Sequence, residues 1–251
     1  MKKILSLALA SLALCASENA PLVTNKSLDT IVLDNVTLKK AGAKDASDYI
    51  NLVSDINVSR YLLGAPITQE KIDAINKSTF KTKIMAPLVF ALPEFLTRRL
   101  FHAGPRWMIK DQSDATIGSL SLATPPAEIK QFLISKGINS NHYDNLAITL
   151  KASEWKKGYA KETIFACLKR VFNNERYQNI KGIVLCFNKE NTVALNRLLD
   201  SQTQQAKQPV VYQGEINLPK DFSNIAPEAF TAACFTISKN DFLHYTQTQE
   251  K

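Results

Sequence analysis

The segment WKKGYAK, residues 155–161, sets one glycine and three lysines between a strand-like run and an amphipathic helix. A turn from strand to helix presents unbonded backbone N–H groups at the helix start, together with the positive end of the helix dipole. Gly158 has no side chain, so a ligand can come close to the backbone there. Lys156, Lys157 and Lys161 add positive potential, and the combination suits a phosphate or pyrophosphate. A single glycine before a helix also serves close packing, so the segment alone leaves both readings open. It is neither a dinucleotide fingerprint nor a P-loop, because G-x-G-x-x-G and G-x-x-x-x-G-K-[ST] are both missing. His102, His142 and His244 stand far apart, without zinc-ligand spacing, so no metal is expected. No G-x-S-x-G elbow points to a hydrolase.

The elements around this segment alternate between strand and helix patterns. Residues 30–40 (TIVLDNVTLKK) read as a strand or a hairpin of two short ones. From Lys44 onward Tyr49, Ile50, Leu52, Val53 and Ile56 recur at helical spacing, and a second helix is expected from Thr68. Residues 80–105 form an apolar insert interrupted by Pro87 and Pro93, with Arg98 and Arg99 near its end. It reads as a flap packed over the domain or as a basic amphipathic piece that touches a membrane. Two strands at 106–110 and 116–122 flank the polar turn DQSDA, and a short helix is expected near 127–135. A strand at 146–150 leads into the lysine-rich turn. The helix beyond it places Ile164, Cys167, Leu168, Val171 and Phe172 on one face. The near-continuous apolar run 180–187 reads as an inner strand, followed by a helix at 191–199 capped by Asn191. Two closing strands, near 210–216 and 229–238, complete an α/β chain with a mixed sheet covered by helices.

Composition adds bounds rather than chemistry. The 251 residues suffice for one generous domain, and 45% hydrophobic with 22% charged residues is ordinary for a globular chain. No apolar run reaches the roughly 20 residues that a transmembrane helix requires. Lys2 and Lys3 followed by ILSLALASLALCA and Ser17 describe a signal peptide over residues 1–17, or else a retained apolar helix. Residues 18–28 then read as a linker. The net charge of +8 is spread along the chain, which describes a solvated surface and gives no reason to expect nucleic acid. Beyond Cys15 there remain Cys167, Cys186 and Cys234, an odd number inside predicted elements, expected to be small buried hydrophobes without a disulfide framework.

In this order four stretches resemble the GNAT superfamily of N-acetyltransferases, and in particular the subgroup that includes the ribosomal-protein N-terminal acetyltransferases. NVSRYLLGAPIT (57–68) is similar to the first helix-to-helix stretch. RWMIKDQSDATIGSLSL (106–122) resembles the central hairpin, with its glycine at Gly118. LAITLKASEWKKGYAKETI (146–164) resembles the acetyl-CoA motif, with Trp155, Gly158 and Ala160 on signature positions, and FNKENTVALNRLL (187–199) resembles the stretch that Asn191 opens. The resemblance covers residues 29–243 and implies a GNAT fold with acetyl-CoA as acyl donor and a primary amine as acceptor. It implies that the backbone of Ile148 and Leu150 bonds the pantetheine arm like an added strand. The amides of Lys156, Lys157, Gly158, Tyr159, Ala160 and Lys161 would cradle the pyrophosphate. Asn191 would hold the arm and Arg197 would lie near the phosphates.

The same resemblance places a glutamate of the subgroup at Asn145, so the catalytic candidates are Asn145 and the adjacent Asp144. Adjacent strand residues face opposite sides, so Asp144 needs a bulge to replace that glutamate. His142 and Tyr143 are the nearby alternatives. Ala194 stands where a small hydroxyl residue is expected. These departures leave a second reading, a GNAT fold that binds coenzyme A or a partner without turnover. Localisation is divided as well: the leader-like segment points outward, to a secreted or periplasmic protein, and acetyl-CoA points to the cytoplasm.

Overall fold

The computed structural model describes residues 29–59, 103–191, 209–219 and 229–249. Eight strands form one sheet: β1 (Thr30–Val32), β2 (Thr37–Lys40), β3 (Ala103–Lys110), β4 (Thr116–Ala123), β5 (Tyr143–Leu150), β6 (Gly182–Asn188), β7 (Val210–Leu218) and β8 (Phe230–Ser238). Their order is β1-β2-β3-β4-β5-β6-β8-β7. Every neighbouring pair is antiparallel except β5 and β6. The helices are α1 (Ala46–Ser54), α2 (Ile56–Ser59), α3 (Ala127–Ser135), α4 (Tyr159–Phe172) and α5 (Lys239–Gln249). The leader-like segment, the linker, the expected second helix and most of the apolar insert lie outside the described residues. No helix among the described residues is long and apolar enough to cross a membrane.

The mixed sheet expected from the alternating pattern is present, and residues 30–40 form the hairpin rather than a single strand. β5 starts at Tyr143, three residues before the apolar run that announces it, because Tyr143, Asp144 and Asn145 pair with β6. Sheet pairing recruits polar residues that carry no strand signal of their own. The chain does not end on two closing strands, since α5 follows them. Its sequence KNDFLHYTQTQ has a weak apolar stripe, and its place is fixed by aromatic contacts. Phe242 is fully buried, with its ring 5.4 Å from Phe165 and 5.6 Å from Phe172 of α4.

Two apolar layers hold the helices to the sheet. On one face Leu120, Leu146, Ile183, Leu185 and Phe235 pack against Cys167, Leu168, Val171 and Phe172 of α4. The helical spacing of those four places them on the buried side. On the other face Ile129 and Leu133 of α3 meet Val184, Leu218 and Ala232.

The cysteine expectation is corrected for two of the three. Cys186 and Cys234 form a disulfide across β6 and β8, where the register sets them directly opposite each other. Forty-eight residues separate them in sequence, so spacing could not reveal the pair. Cys167 behaves as expected: it is buried without a partner cysteine, and burial pushes its thiol pKa up.

A buried cation joins the β3–β4 hairpin to α1. Lys110 Nζ lies 2.6 Å from Thr116 Oγ1, 3.4 Å from Asp48 Oδ2 and 3.6 Å from Asp45 Oδ1. Thr116 Oγ1 in turn donates to Asp48 Oδ2. The Thr116 hydrogen bond, aided by Lys110, holds the Asp48 carboxyl below the usual carboxylate range. A folded-state pKa lowered in this way contributes stability above the unfolded value and loses it as pH falls through the folded value. Thr116→Val should therefore flatten the acid limb of the stability curve below about pH 4, measured by urea midpoints across pH, while altering its slope near neutrality very little. An unchanged acid limb would show that the contact carries no linkage.

Candidate functional site

The site begins where two neighbouring strands stop bonding to each other. β5 and β6 are paired only at Tyr143↔Gly182, Asp144↔Ile183 and Asn145↔Val184. Beyond that point β5 stays with β4 as far as Gly118↔Leu150, and β6 stays with β8 as far as Asn188↔Ala232. Lys151 N donates to Ile117 O at 2.8 Å, which continues the β4–β5 ladder and fixes its alternation. Odd-numbered residues of β5 therefore bond to β4, and even-numbered ones turn their peptide groups toward β6. Past the last rung, Ile148 and Leu150 aim theirs into the gap. These are the two strand residues that the family resemblance assigns to a donor arm. One acceptor there is already engaged: the Leu150 carbonyl receives the Trp155 indole N–H at 2.9 Å.

The loop after β5 carries the second part of the site. Lys156 has φ 66° and Gly158 has φ 89°, both in the left-handed region. Alternation of this kind turns successive N–H groups inward and makes an anion-binding concavity. A Cβ added at Gly158 would meet nothing within 4 Å, so the glycine is required by its backbone angle and not by crowding. The first helical bond of α4 runs from Glu162 N to Gly158 O at 3.2 Å, leaving the amides of Tyr159, Ala160 and Lys161 without helical acceptors. The carbonyl side of that turn is occupied, since Thr163 Oγ1 donates to Tyr159 O at 2.6 Å.

The lysines differ in what they can offer. Lys157 Nζ is 3.0 Å from Glu154 Oε2, and that contact lowers the Glu154 pKa and raises that of Lys157. Glu154 went unnoticed in the sequence, yet it offsets one of the three charges. Lys156 is exposed, and the Lys161 ammonium sits 5.8 Å from the centroid of the Phe165 ring.

Asp144 and Asn145 occupy opposite faces of β5, with no register shift between β4 and β5 to re-aim either. Asp144 is buried on the side of Leu146 and α4, and it has an interaction partner. Asn145 shares its face with Tyr143 and the exposed Ala147. His142 Nδ1 lies 3.1 Å from Asn179 O, and its carbonyl accepts from Lys181 N. Burial, with a smaller contribution from Asp241, raises the Tyr143 pKa. Asn191 follows β6, with its N–H donating to Asn188 O at 2.9 Å. The helix expected after it, Arg197 and Ala194 lie outside the described residues. Among the described residues no group of three or more metal-ligating side chains exists.

The parted strands and the left-handed turn set a family comparison in context. A family model described as an acetyltransferase (GNAT) domain matches residues 35–198. The chain belongs to the GNAT acetyltransferase family. The eight-stranded sheet flanked by helices matches that of other GNAT structures. A Bacillus anthracis GNAT acetyltransferase is 15% identical, with a TM-score of 0.51 over 84% of this chain and 99% of that one. A probable GNAT acetyltransferase from Chromobacterium violaceum is 13% identical, with a TM-score of 0.54 over 90% and 97%. A third structure, described as a putative acetyltransferase, gives 14%, 0.55, 88% and 92%. At such identities the likeness speaks to the fold. No curated protein sequence matches the chain.

In this GNAT chain the gap depends on how tightly β4 holds β5. A Cβ on Gly118 would stand 2.4 Å from the Thr149 carbonyl oxygen and 2.6 Å from Leu150 Cδ2. A backbone oxygen cannot swing aside as a side chain can. Gly118→Ala should therefore cost about 1–3 kcal/mol in denaturant unfolding. A cost under about 0.5 kcal/mol would mean that the strands adjust more easily than this packing implies.

Proposed function

We propose that the chain transfers an acetyl group from acetyl-CoA to a primary amine, carried by a protein N-terminus or by a small molecule. The observation that carries this reading is the opening of the β5–β6 gap beside the left-handed turn at the start of α4. A thioester arm could lie along one and its pyrophosphate in the other. Acetyl-CoA supplies an activated acyl group with a stable thiolate as leaving group. The peptide groups of Ile148 and the N–H of Leu150 would bond the pantetheine arm. The amides of residues 156–161, with Lys156 and Lys161, would bond the pyrophosphate, while Lys157 stays with Glu154. Trp155 fixes the loop to the end of β5 through its indole N–H, and so sets the distance between the two subsites. Asn191 and Arg197 are proposed for the arm and the phosphates on the β6 side.

Asn145 is the residue proposed to orient the acceptor, because its face of β5 is the one away from α4. A neutral amide cannot take the proton from an ammonium group, and Asp144 points into the other side. The nucleophile is then the fraction of amine already deprotonated, with Asn145 accepting a hydrogen bond from it. Backbone N–H groups along the gap would stabilise the developing oxyanion. A second reading, a coenzyme A-binding module without turnover, is favoured by the same observation that position 145 lacks a base. The apolar insert 80–105 is proposed to shape acceptor choice in either case. The leader-like segment and the Cys186–Cys234 disulfide together support passage through an oxidising compartment.

The decisive experiment titrates the full chain with acetyl-CoA and follows its melting temperature, beside Gly158→Trp. Wild type should rise by several degrees at saturating ligand and the variant should not. No shift at millimolar acetyl-CoA would sink the donor site. With an acceptor in hand, kcat/KM should climb with pH toward the amine's own pKa of about 8–10. Asn145→Ala should lower it about tenfold without changing acetyl-CoA affinity. A rate that instead levels off near pH 5–7 would mean that an enzyme carboxylate or imidazole takes the proton, and would overturn the role given to Asn145. Binding without turnover of any amine would favour the module.

A further inference from the structure

Cys186 lies on β6 two residues past Val184, the last residue of that strand paired with β5. Lys189 N donates to Thr231 O at 3.0 Å, which marks the odd-numbered residues of β6 as those bonded to β8. The even-numbered ones turn their peptide groups toward β5. Cys186 is therefore the next residue in line to bond β5, and Leu146 C=O is the acceptor that one more rung would use. The disulfide partner, Cys234, faces Cys186 at a position without hydrogen bonds, where strands approach most closely; their Cα atoms are 4.2 Å apart. The bridge thus ties β6 to β8 at the residue where β6 must leave β5.

We propose that the Cys186–Cys234 disulfide is a redox latch on the donor gap. Oxidised, it holds the gap open; reduced by a dithiol, it lets β6 add a rung to β5 and narrow the gap. The proposal rests on the reading of that gap as the acetyl-CoA site. It needs two alternative arrangements of one element, and the alternation supplies them: the parallel ladder ends at Asn145↔Val184, or runs on through Leu146 and Cys186. One more rung would take up the Leu146 C=O and the Cys186 N–H and draw β6 toward Ile148, whose peptide groups are those proposed for the arm, so zipping narrows the space that donor binding needs.

The chemistry balances with an external dithiol of the thioredoxin class. Its thiolate attacks Sγ of Cys186, which is half-buried, whereas Cys234 is fully buried. The Cys186–Cys234 bond breaks as a mixed disulfide forms, and Cys234 leaves as a thiolate that takes up a proton. The second thiol of the dithiol resolves the mixed disulfide and releases Cys186. Two electrons and two protons pass to the cysteines, and the dithiol becomes a disulfide. Cys167 takes no part, being buried on α4 with its thiol pKa pushed up.

The test uses the full chain with Cys15→Ser and Cys167→Ala, so that Cys186 and Cys234 are the only cysteines left. The ligand is the S-ethyl thioether analogue of acetyl-CoA, which does not exchange with thiols. Its Kd is measured by equilibrium dialysis before and after full reduction with dithiothreitol, and amide hydrogen exchange is followed at Cys186. Reduction should weaken binding roughly fivefold or more and slow exchange of the Cys186 amide in the ligand-free protein. Adding Cys186→Ser and Cys234→Ser should copy the reduced state and abolish the response to dithiothreitol. Melting temperature alone does not decide, because losing a cross-link lowers it in any case. Equal Kd in both redox states would overturn the latch and leave the donor site standing, as would a dithiothreitol effect that survives the double substitution. Binding in neither state would overturn the donor site and the latch with it.

Discussion

The peptide groups that β5 and β6 leave unpaired in the middle of the sheet are the constraint from which the rest follows. A backbone N–H or C=O shut away from water without a partner costs about 1–3 kcal/mol, so an inner strand that loses its neighbour must gain another partner or stay wet. β5 has five residues beyond its last pairing with β6, and they remain straight because β4 matches them through Leu150. β6 is held in the same way by β8, through seven consecutive pairs and a covalent bridge. Each strand is anchored from its outer side, so the gap between them can persist without collapsing. Gly118 belongs to this arrangement, since the closeness of β4 and β5 leaves no room for a side chain there.

The turn at 155–158 depends on the same gap. Trp155 reaches back to the Leu150 carbonyl, so the loop that prepares α4 is fastened to the last residue of β5. The left-handed angles at Lys156 and Gly158 then turn the chain from that fastening into the start of α4. The local charge is more modest than three lysines suggest, because Glu154 engages Lys157. Exposed ion pairs of that kind contribute little to stability and are screened by salt. Here the pairing acts mainly on position: it keeps one cation beside the loop while amides and the helix end supply the directed part of the field.

How much of this was legible in the sequence depended on whether a feature is local. The buried face of α4 followed from the spacing of Cys167, Leu168, Val171 and Phe172, and the turn before it from Gly158 and its lysines. The opposite facing of Asp144 and Asn145 followed from strand alternation alone. Non-local features stayed hidden. Tyr143, Asp144 and Asn145 join β5 only because β6 lies beside them, and α5 is fixed by Phe242 meeting rings of α4. The disulfide was misread because an odd number of cysteines without regular spacing says nothing about register, and register is what brought Cys186 to Cys234.

The two halves of the site ask different things of a sequence. The proposed donor half is built from backbone: strand groups that β5 and β6 do not share, amides at the start of α4 and one position that demands a positive φ. Many side chains would satisfy such a site, and the sheet that frames it is kept in structures that share 13–15% of this chain's residues. On the proposed reading an acceptor half would have to tell one amine from another, and backbone groups, being the same everywhere, cannot do that. Discrimination has to come from side chains on the Asn145 face of β5 and from the segments that cover it. If Asn145 stands at the acceptor as proposed, it leaves that face without a base and would shift the burden of deprotonation to the acceptor. An amine that is partly neutral near pH 7 would meet that demand far better than a strongly basic one. On that reading the α-amino group of a polypeptide, with a pKa near 8, would meet the demand better than an alkyl ammonium near 10.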